Sequence, residues 1–180
     1  MVPAKLTARI RAAAIRHGQF KLPSGEVLEE YFDQYALAAD PLLLRDTANA
    51  LARELPGRTE SIIGIALGGV PLAVALSAVT GVRAGFYRPV PKPYGTFRQI
   101  EADIVSGNRV VLIDDVVRSG AQILRAADVL SETGASVVGV VCLLDRELGG
   151  RERLARRGIE LRPLLTPSTL YGIEPKRDAS

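Results

Sequence analysis

The 180-residue chain is 47% hydrophobic and 24% charged, a balance that suits a folded core and excludes a disordered chain. One cysteine and one histidine exclude a disulfide framework and a zinc-finger ligand set, and a net charge of +3 with no tryptophan gives no reason to expect nucleic acid. No apolar run approaches the roughly 18 residues of a membrane span, and Met1 to Lys5 opens no secretory signal. A cytoplasmic protein that binds neither membrane nor nucleic acid is expected.

Leu6 to His17 repeats apolar and small residues at helical spacing, which predicts a short helix ended by His17, where a donor suits the helix dipole. Gly18 to Tyr35 is irregular and aromatic-rich, as in short strands or a cap. Asp40-Pro41 pairs an N-cap with a first-turn proline, and the helix it opens is stopped by Pro56-Gly57 after about Leu55. Ser61 to Ala66 reads as a strand, Leu67-Gly68-Gly69 as a turn and Val70 to Val79 as a helix. Val82 to Tyr87 is a strand, and Arg88 to Arg98 a polar loop with three prolines. Then come a strand (Arg109 to Val117), a helix (Gly120 to Thr133), an apolar strand (Val137 to Leu144), a helix (Gly149 to Arg157) and a last strand (Ile159 to Leu165). Alternating apolar strands and amphipathic helices predict an α/β fold, with a mostly parallel sheet of about five strands covered on both faces. Ligands bind such sheets beyond the carboxyl ends of the strands.

The most informative junction is Arg109-Val-Val-Leu-Ile-Asp-Asp-Val-Val-Arg-Ser-Gly-Ala-Gln-Ile. Aspartate is depleted in strands and needs a partner when buried, so Asp114 and Asp115 call for ribose hydroxyls or the waters of a metal ion. The turn Arg118-Ser119-Gly120-Ala121 opens a helix whose free N–H groups suit an anion. Together they describe a ribose-phosphate pocket; the plain alternative is a strand end with an Asp N-cap.

Val110 to Ala121 resembles the phosphoribosyl diphosphate (PRPP) motif of the type I phosphoribosyltransferases. The resemblance implies that Asp114 and Asp115 contact the ribose 2- and 3-hydroxyls. It also implies that Val116, Val117, Arg118, Ser119, Gly120, Ala121 and Gln122 surround the 5-phosphate. Arg118 and Ala121 stand where the family usually has threonine.

Further segments are similar to the orotate phosphoribosyltransferases. Gly18-Gln-Phe-Lys-Leu-Pro-Ser-Gly-Glu, followed by Tyr31-Phe32, resembles their N-terminal hood, which implies that Phe20, Tyr31 and Phe32 lie over the base; Pro23 and Glu26 depart from the pattern. Gly64-Ile-Ala-Leu-Gly-Gly-Val-Pro-Leu-Ala resembles the diphosphate turn, at Ala66, Leu67, Gly68 and Gly69, where glycine permits close backbone approach. Arg88-Pro-Val-Pro-Lys-Pro-Tyr-Gly-Thr resembles the catalytic loop, with Pro89 and Tyr94 replacing a lysine and a histidine. That match implies that Lys92, supported by Arg88, stabilises the leaving diphosphate in a water-excluded site, and that Arg88, Lys92 and Tyr94 contact PRPP. Leu144-Asp-Arg-Glu-Leu-Gly-Gly resembles the segment whose arginine contacts orotate, which points to Arg146, with Arg118 nearby. An Arg146 paired with Asp145 or Glu147 is the competing reading.

The resemblance implies a type I phosphoribosyltransferase fold in one domain: a helix and hood at 1–38, a PRPP-binding core at 39–172 and a tail at 173–180. It implies transfer of phosphoribose from PRPP to orotate, with Asp115 a catalytic residue alongside Lys92 and Arg88, and a homodimer. Mg2+ is expected on PRPP and waters near Asp114 and Asp115, without direct protein ligands. The alternatives are a phosphoribosyltransferase for another base and a catalytically inactive PRPP or nucleotide sensor. Cys142 is expected in the core, Arg151, Arg153, Arg156 and Arg157 on a solvated helix face, and the tail frayed.

Overall fold

The computed structural model describes residues 2–21, 25, 27–91 and 98–172. Pro23, Glu26, Lys92, Tyr94 and the tail at 173–180 lie outside the described residues.

The chain begins with α1 (Ala4–Ala14), the antiparallel hairpin β1 (Ile15–Lys21) and β2 (Val27–Phe32), and the short α2 (Gln34–Ala38). The first helix ends three residues earlier than its apolar spacing predicts. Ile15, β-branched, turns extended at φ −79°, ψ 126° and pairs with Phe32, so cross-strand pairing overrides helical periodicity. His17 therefore does not end a helix; it is exposed on β1, 4.0 Å from Glu30. Asp33 caps α2, its Oδ1 accepting from Tyr35 and Ala36 N–H at 3.1 Å.

Next come α3 (Pro41–Leu51) with a 3-10 turn, β3 (Ser61–Ile65), α4 (Gly69–Thr80), β4 (Arg83–Tyr87) and β5 (Ile100–Glu101). They are followed by β6 (Arg109–Val117), α5 (Ala121–Glu132), β7 (Ser136–Asp145), α6 (Gly150–Ala155), β8 (Leu161–Leu165) and α7 (Pro167–Tyr171). Among the described residues the main sheet has six strands in the order β5-β4-β3-β6-β7-β8. Five are parallel, and the sixth, β5, is a two-residue antiparallel strand too short to show in the sequence.

The period of two along β6 builds two cores. Val111 and Ile113 pack on one face with Leu43 and Leu51 of α3 and Leu72 and Leu76 of α4. Val110 and Leu112 pack on the other with Ile123, Ala126 and Leu130 of α5. Cys142 is fully buried there, as expected, opposite Asp114 across the β6–β7 ladder. At the far edge, Val140 N–H reaches the carbonyl of Glu160, and β8 carries Pro163. The strand order reverses between β3 and β6, so the crevice beyond their carboxyl ends is where an open α/β sheet holds its ligand.

Candidate functional site

Two backbone turns and a two-carboxylate strand end meet at that crevice. Asp114 and Asp115 close β6, and Asp115 N–H donates to Asp114 Oδ1 at 3.1 Å. Burial, followed by the neighbouring Asp115 charge and a hydrogen bond with it, pushes the Asp114 carboxyl well above the usual aspartate range. Gly120, at φ 68°, reverses the chain into α5, and no side chain caps the helix, leaving its first-turn amides available to an anion.

The second turn, Ala66 to Gly69, joins β3 to α4. Ala66 N–H is fixed to Tyr87 O at 2.9 Å, and the Ala66–Leu67 peptide is cis. A Cβ on Gly68 would lie 2.1 Å from Asp115 Oδ2, and one on Gly69 would lie 2.3 Å from Ile113 O. Only glycine lets this turn close against the end of β6. Gln122, in the first turn of α5, donates its Nε2 to Ala66 O at 3.0 Å and so bridges the two turns.

Beside Asp115 a cavity of about 200 Å³ runs from the core to the hairpin, lined in part by Tyr31, Phe32, Gln34, Asp115, Arg118 and Arg146. A hollow of about 480 Å³ between α1 and α7 includes none of these residues. Arg146 reaches the smaller cavity because Asp145 is engaged elsewhere. Asp145 is fully buried, its Oδ1 accepts from Glu147 N–H at 2.9 Å, and its Oδ2 is 3.2 Å from the Arg151 guanidinium. Arg146 N–H donates to Val117 O at 2.8 Å, which ties its backbone to the end of β6.

A phosphoribosyl transferase domain model matches residues 37–160. The orotate phosphoribosyltransferase of a Nocardioides species is 42% identical over 167 residues, covering 93% of both chains. The chain belongs to the orotate phosphoribosyltransferase family. The crystal structure of orotate phosphoribosyltransferase from Aeropyrum pernix superposes with a TM-score of 0.80 at 34% identity, covering 94% of this chain and 96% of that one. That of Mycobacterium tuberculosis H37Rv orotate phosphoribosyltransferase in complex with PRPP superposes at 0.77 and 26% identity, covering 93% and 98%.

Within this orotate phosphoribosyltransferase-family fold, Asp115, Val116, Arg118, Arg146, Tyr31 and Phe32 share the cavity. Phe20 is not among the residues that line it; its ring packs on Tyr31 with centroids 5.4 Å apart. Burial, then Asp33 and Asp115, raises the Tyr31 hydroxyl above its ordinary value, keeping it a neutral donor. Val117 is core. Ser119 is exposed, and its carbonyl is 3.4 Å from Arg153 Nη1. Leu67 is 67% exposed. Arg88 N–H donates to Gln99 O at 2.8 Å, and its buried Nε has no partner among the described residues.

Glu30 and Gln34 also line the cavity, although their types and spacing carry no motif; only the path of the hairpin brings them there. The arginines on and just after α6, Arg151, Arg153, Arg156 and Arg157, are exposed, as expected, and Arg151 and Arg157 also bind neighbouring groups. Arg151 serves Asp145 and Leu161 O, and Arg157 bonds Asp128 at 2.6 Å, so this face holds structure together besides meeting solvent.

Proposed function

We propose that the protein transfers the 5-phosphoribosyl group of PRPP to orotate, giving orotidine 5′-monophosphate and diphosphate. The observation that carries this is one cavity in which Asp115 lies with Arg118 and Arg146, flanked by two turns suited to anions. The α5 turn would hold the 5-phosphate through its amides, and the Ala66–Gly69 turn the diphosphate. Asp114 and Asp115 would accept hydrogen bonds from the ribose hydroxyls, holding the ring so that its reacting carbon faces the base. Arg146, with Arg118, would bind the carboxylate and carbonyl edge of orotate through a planar fork, while Tyr31 and Phe32 cover the ring, with Phe20 behind Tyr31.

As the bond between the ribose and diphosphate breaks and the bond to the base forms, negative charge gathers on the leaving group. Arg88 at the end of β4 and Lys92 beyond it are the cations assigned to it, with Tyr94 as a further contact. Mg2+ fits this site: Asp114 resists ionising because it is buried beside the Asp115 charge, and a divalent cation arriving on PRPP would offset that repulsion. Bound to PRPP and water, the ion would neutralise diphosphate oxygens and help orient the sugar. We assign residues 1–38 to the hood, 39–172 to the PRPP core and 173–180 to a tail. A cytoplasmic homodimer completes the reading; among the described residues no helix is long and apolar enough to cross a membrane.

The test is a base screen with PRPP and Mg2+, following diphosphate release. Orotate is expected to give release. Release with another base alone would overturn the specificity, and PRPP binding without release on any base would point to a sensor.

A second prediction follows from the Gly68 turn. Gly68 has an ordinary φ of −66°, so alanine meets no torsional obstacle there, only the Asp115 carboxylate. Gly68→Ala is expected to raise the KM for PRPP about tenfold, the scale of a forced backbone shift, with a correctly folded circular dichroism spectrum. An unchanged KM would show that the turn does not touch PRPP.

A further inference from the structure

We propose that Gln122 is a positioning residue that locks the diphosphate turn to the phosphate turn. This rests on the reading of those turns given above and goes beyond it, because the residue assigned here is not spent on ligand. Gln122 follows Ala121 in the first turn of α5, where the PRPP motif suggests a phosphate contact. Its side chain is turned across the crevice instead, and Nε2 donates to the Ala66 carbonyl at 3.0 Å, across 56 residues of sequence.

The Ala66 residue is then held on two sides. Its N–H is fixed by Tyr87 O at 2.9 Å, at the end of β4, and its carbonyl by α5. The three residues that follow are those the reading above assigns to the diphosphate, and Gly68 and Gly69 are already pressed against Asp115 and the end of β6. Without the Gln122 donor, the Ala66 carbonyl loses the tie from α5. The rest of the turn keeps the Val70 N–H to Leu67 O contact at 3.2 Å. The 5-phosphate turn does not depend on this bond, since Gly120 and the backbone of α5 shape it. Gln122 therefore acts on the diphosphate end of the substrate from the phosphate end of the site.

Gln122→Ala removes the donor, and Gln122→Glu keeps the length while setting a carboxylate oxygen against the Ala66 carbonyl. Titration calorimetry with inorganic diphosphate and with ribose 5-phosphate, on the whole chain with Mg2+, separates the two turns. Both variants are expected to bind diphosphate about five- to tenfold more weakly, the effect of one lost hydrogen bond to a partly buried carbonyl, and ribose 5-phosphate within about twofold of the parent. Amide exchange across Leu67 to Gly69 should quicken while that of α5 stays unchanged. Equal losses for both anions would make Gln122 a direct phosphate contact, and no loss for either would make the bond incidental; each result overturns the proposal. If the parent chain binds neither anion, the functional reading fails, and the exchange measurement still decides whether Gln122 holds the turn.

Discussion

Asp114→Asn is expected to make the ligand-free protein more stable at neutral pH and to lower kcat/KM for PRPP by about a hundredfold. Both effects come from the same carboxyl. Burial and the adjacent Asp115 charge raise its pKa well above the usual range, so ionising it in the folded chain is unfavourable. Below about pH 4 the group is protonated both folded and unfolded, and it costs nothing. As pH rises past that ordinary value, the unfolded chain releases the proton while the folded chain retains it. Stability then falls until the pH passes the folded pKa. Asparagine has no proton to lose and can still accept the Asp115 N–H through Oδ1. Melting curves of the two proteins should coincide near pH 4 and separate above it, with the variant higher by about 2–4 °C for each kcal/mol gained. The loss of turnover follows because asparagine stays neutral, whereas Asp114 can give up its proton when substrate and its cation bind and become a charged acceptor of ribose hydroxyls, a difference of about 1.5–3 kcal/mol. Equal melting temperatures at neutral pH would refute the stored penalty, and unchanged kcat/KM would remove Asp114 from the ribose site.

Arg146→Ala is expected to raise the KM for orotate by about a hundredfold or more while PRPP binding stays within about twofold. The competing reading, in which Arg146 neutralises a neighbouring acid, predicts a folding defect instead. The geometry separates the two. Asp145 is fully buried, its Oδ1 accepts from the Glu147 amide, and its Oδ2, which accepts no hydrogen bond, lies 3.2 Å from the Arg151 guanidinium, so its nearest cation among the described residues is Arg151 and not Arg146. Arg146 lines the cavity opposite the hairpin, and a guanidinium fork there can give two charge-assisted hydrogen bonds to one planar edge. Arg146→Lys should recover only part of the loss, because an ammonium group cannot make the paired contact. Initial rates against each substrate, with melting curves as the folding control, decide it. A variant that melts far lower, with both substrates equally affected, would return Arg146 to a structural role.

The parts most legible in the sequence were those buried on both sides. β6 and β7 are apolar runs because helices cover both faces, and the two acids at the end of β6 stand out because nothing in a core asks for them. The boundary between α1 and β1 was illegible for the opposite reason. Arg16 and His17 are exposed, so their types report nothing about whether the backbone is helix or strand, and pairing with β2 decides it. Gln122 and Arg151 show a further limit. Each is a polar residue where a surface or ligand contact is the natural expectation, but Gln122 is spent on a backbone carbonyl 56 residues away and Arg151 on the buried Asp145. Glu30 and Gln34 reach the cavity only because the hairpin folds over the core.

Pro163 bears on how copies of this chain can associate. The Val140 N–H reaches Glu160 O, and backbone groups alternate sides along a strand, so Arg162 and Leu164 turn theirs toward β7 while Pro163 faces outward. The outer rim of β8 thus lacks a donor at its middle residue, where an added strand would need one. At the opposite rim β5 is only two residues long. With both rims poor templates, strand-by-strand growth into fibres is disfavoured, and self-association is directed to the helical faces and the hairpin.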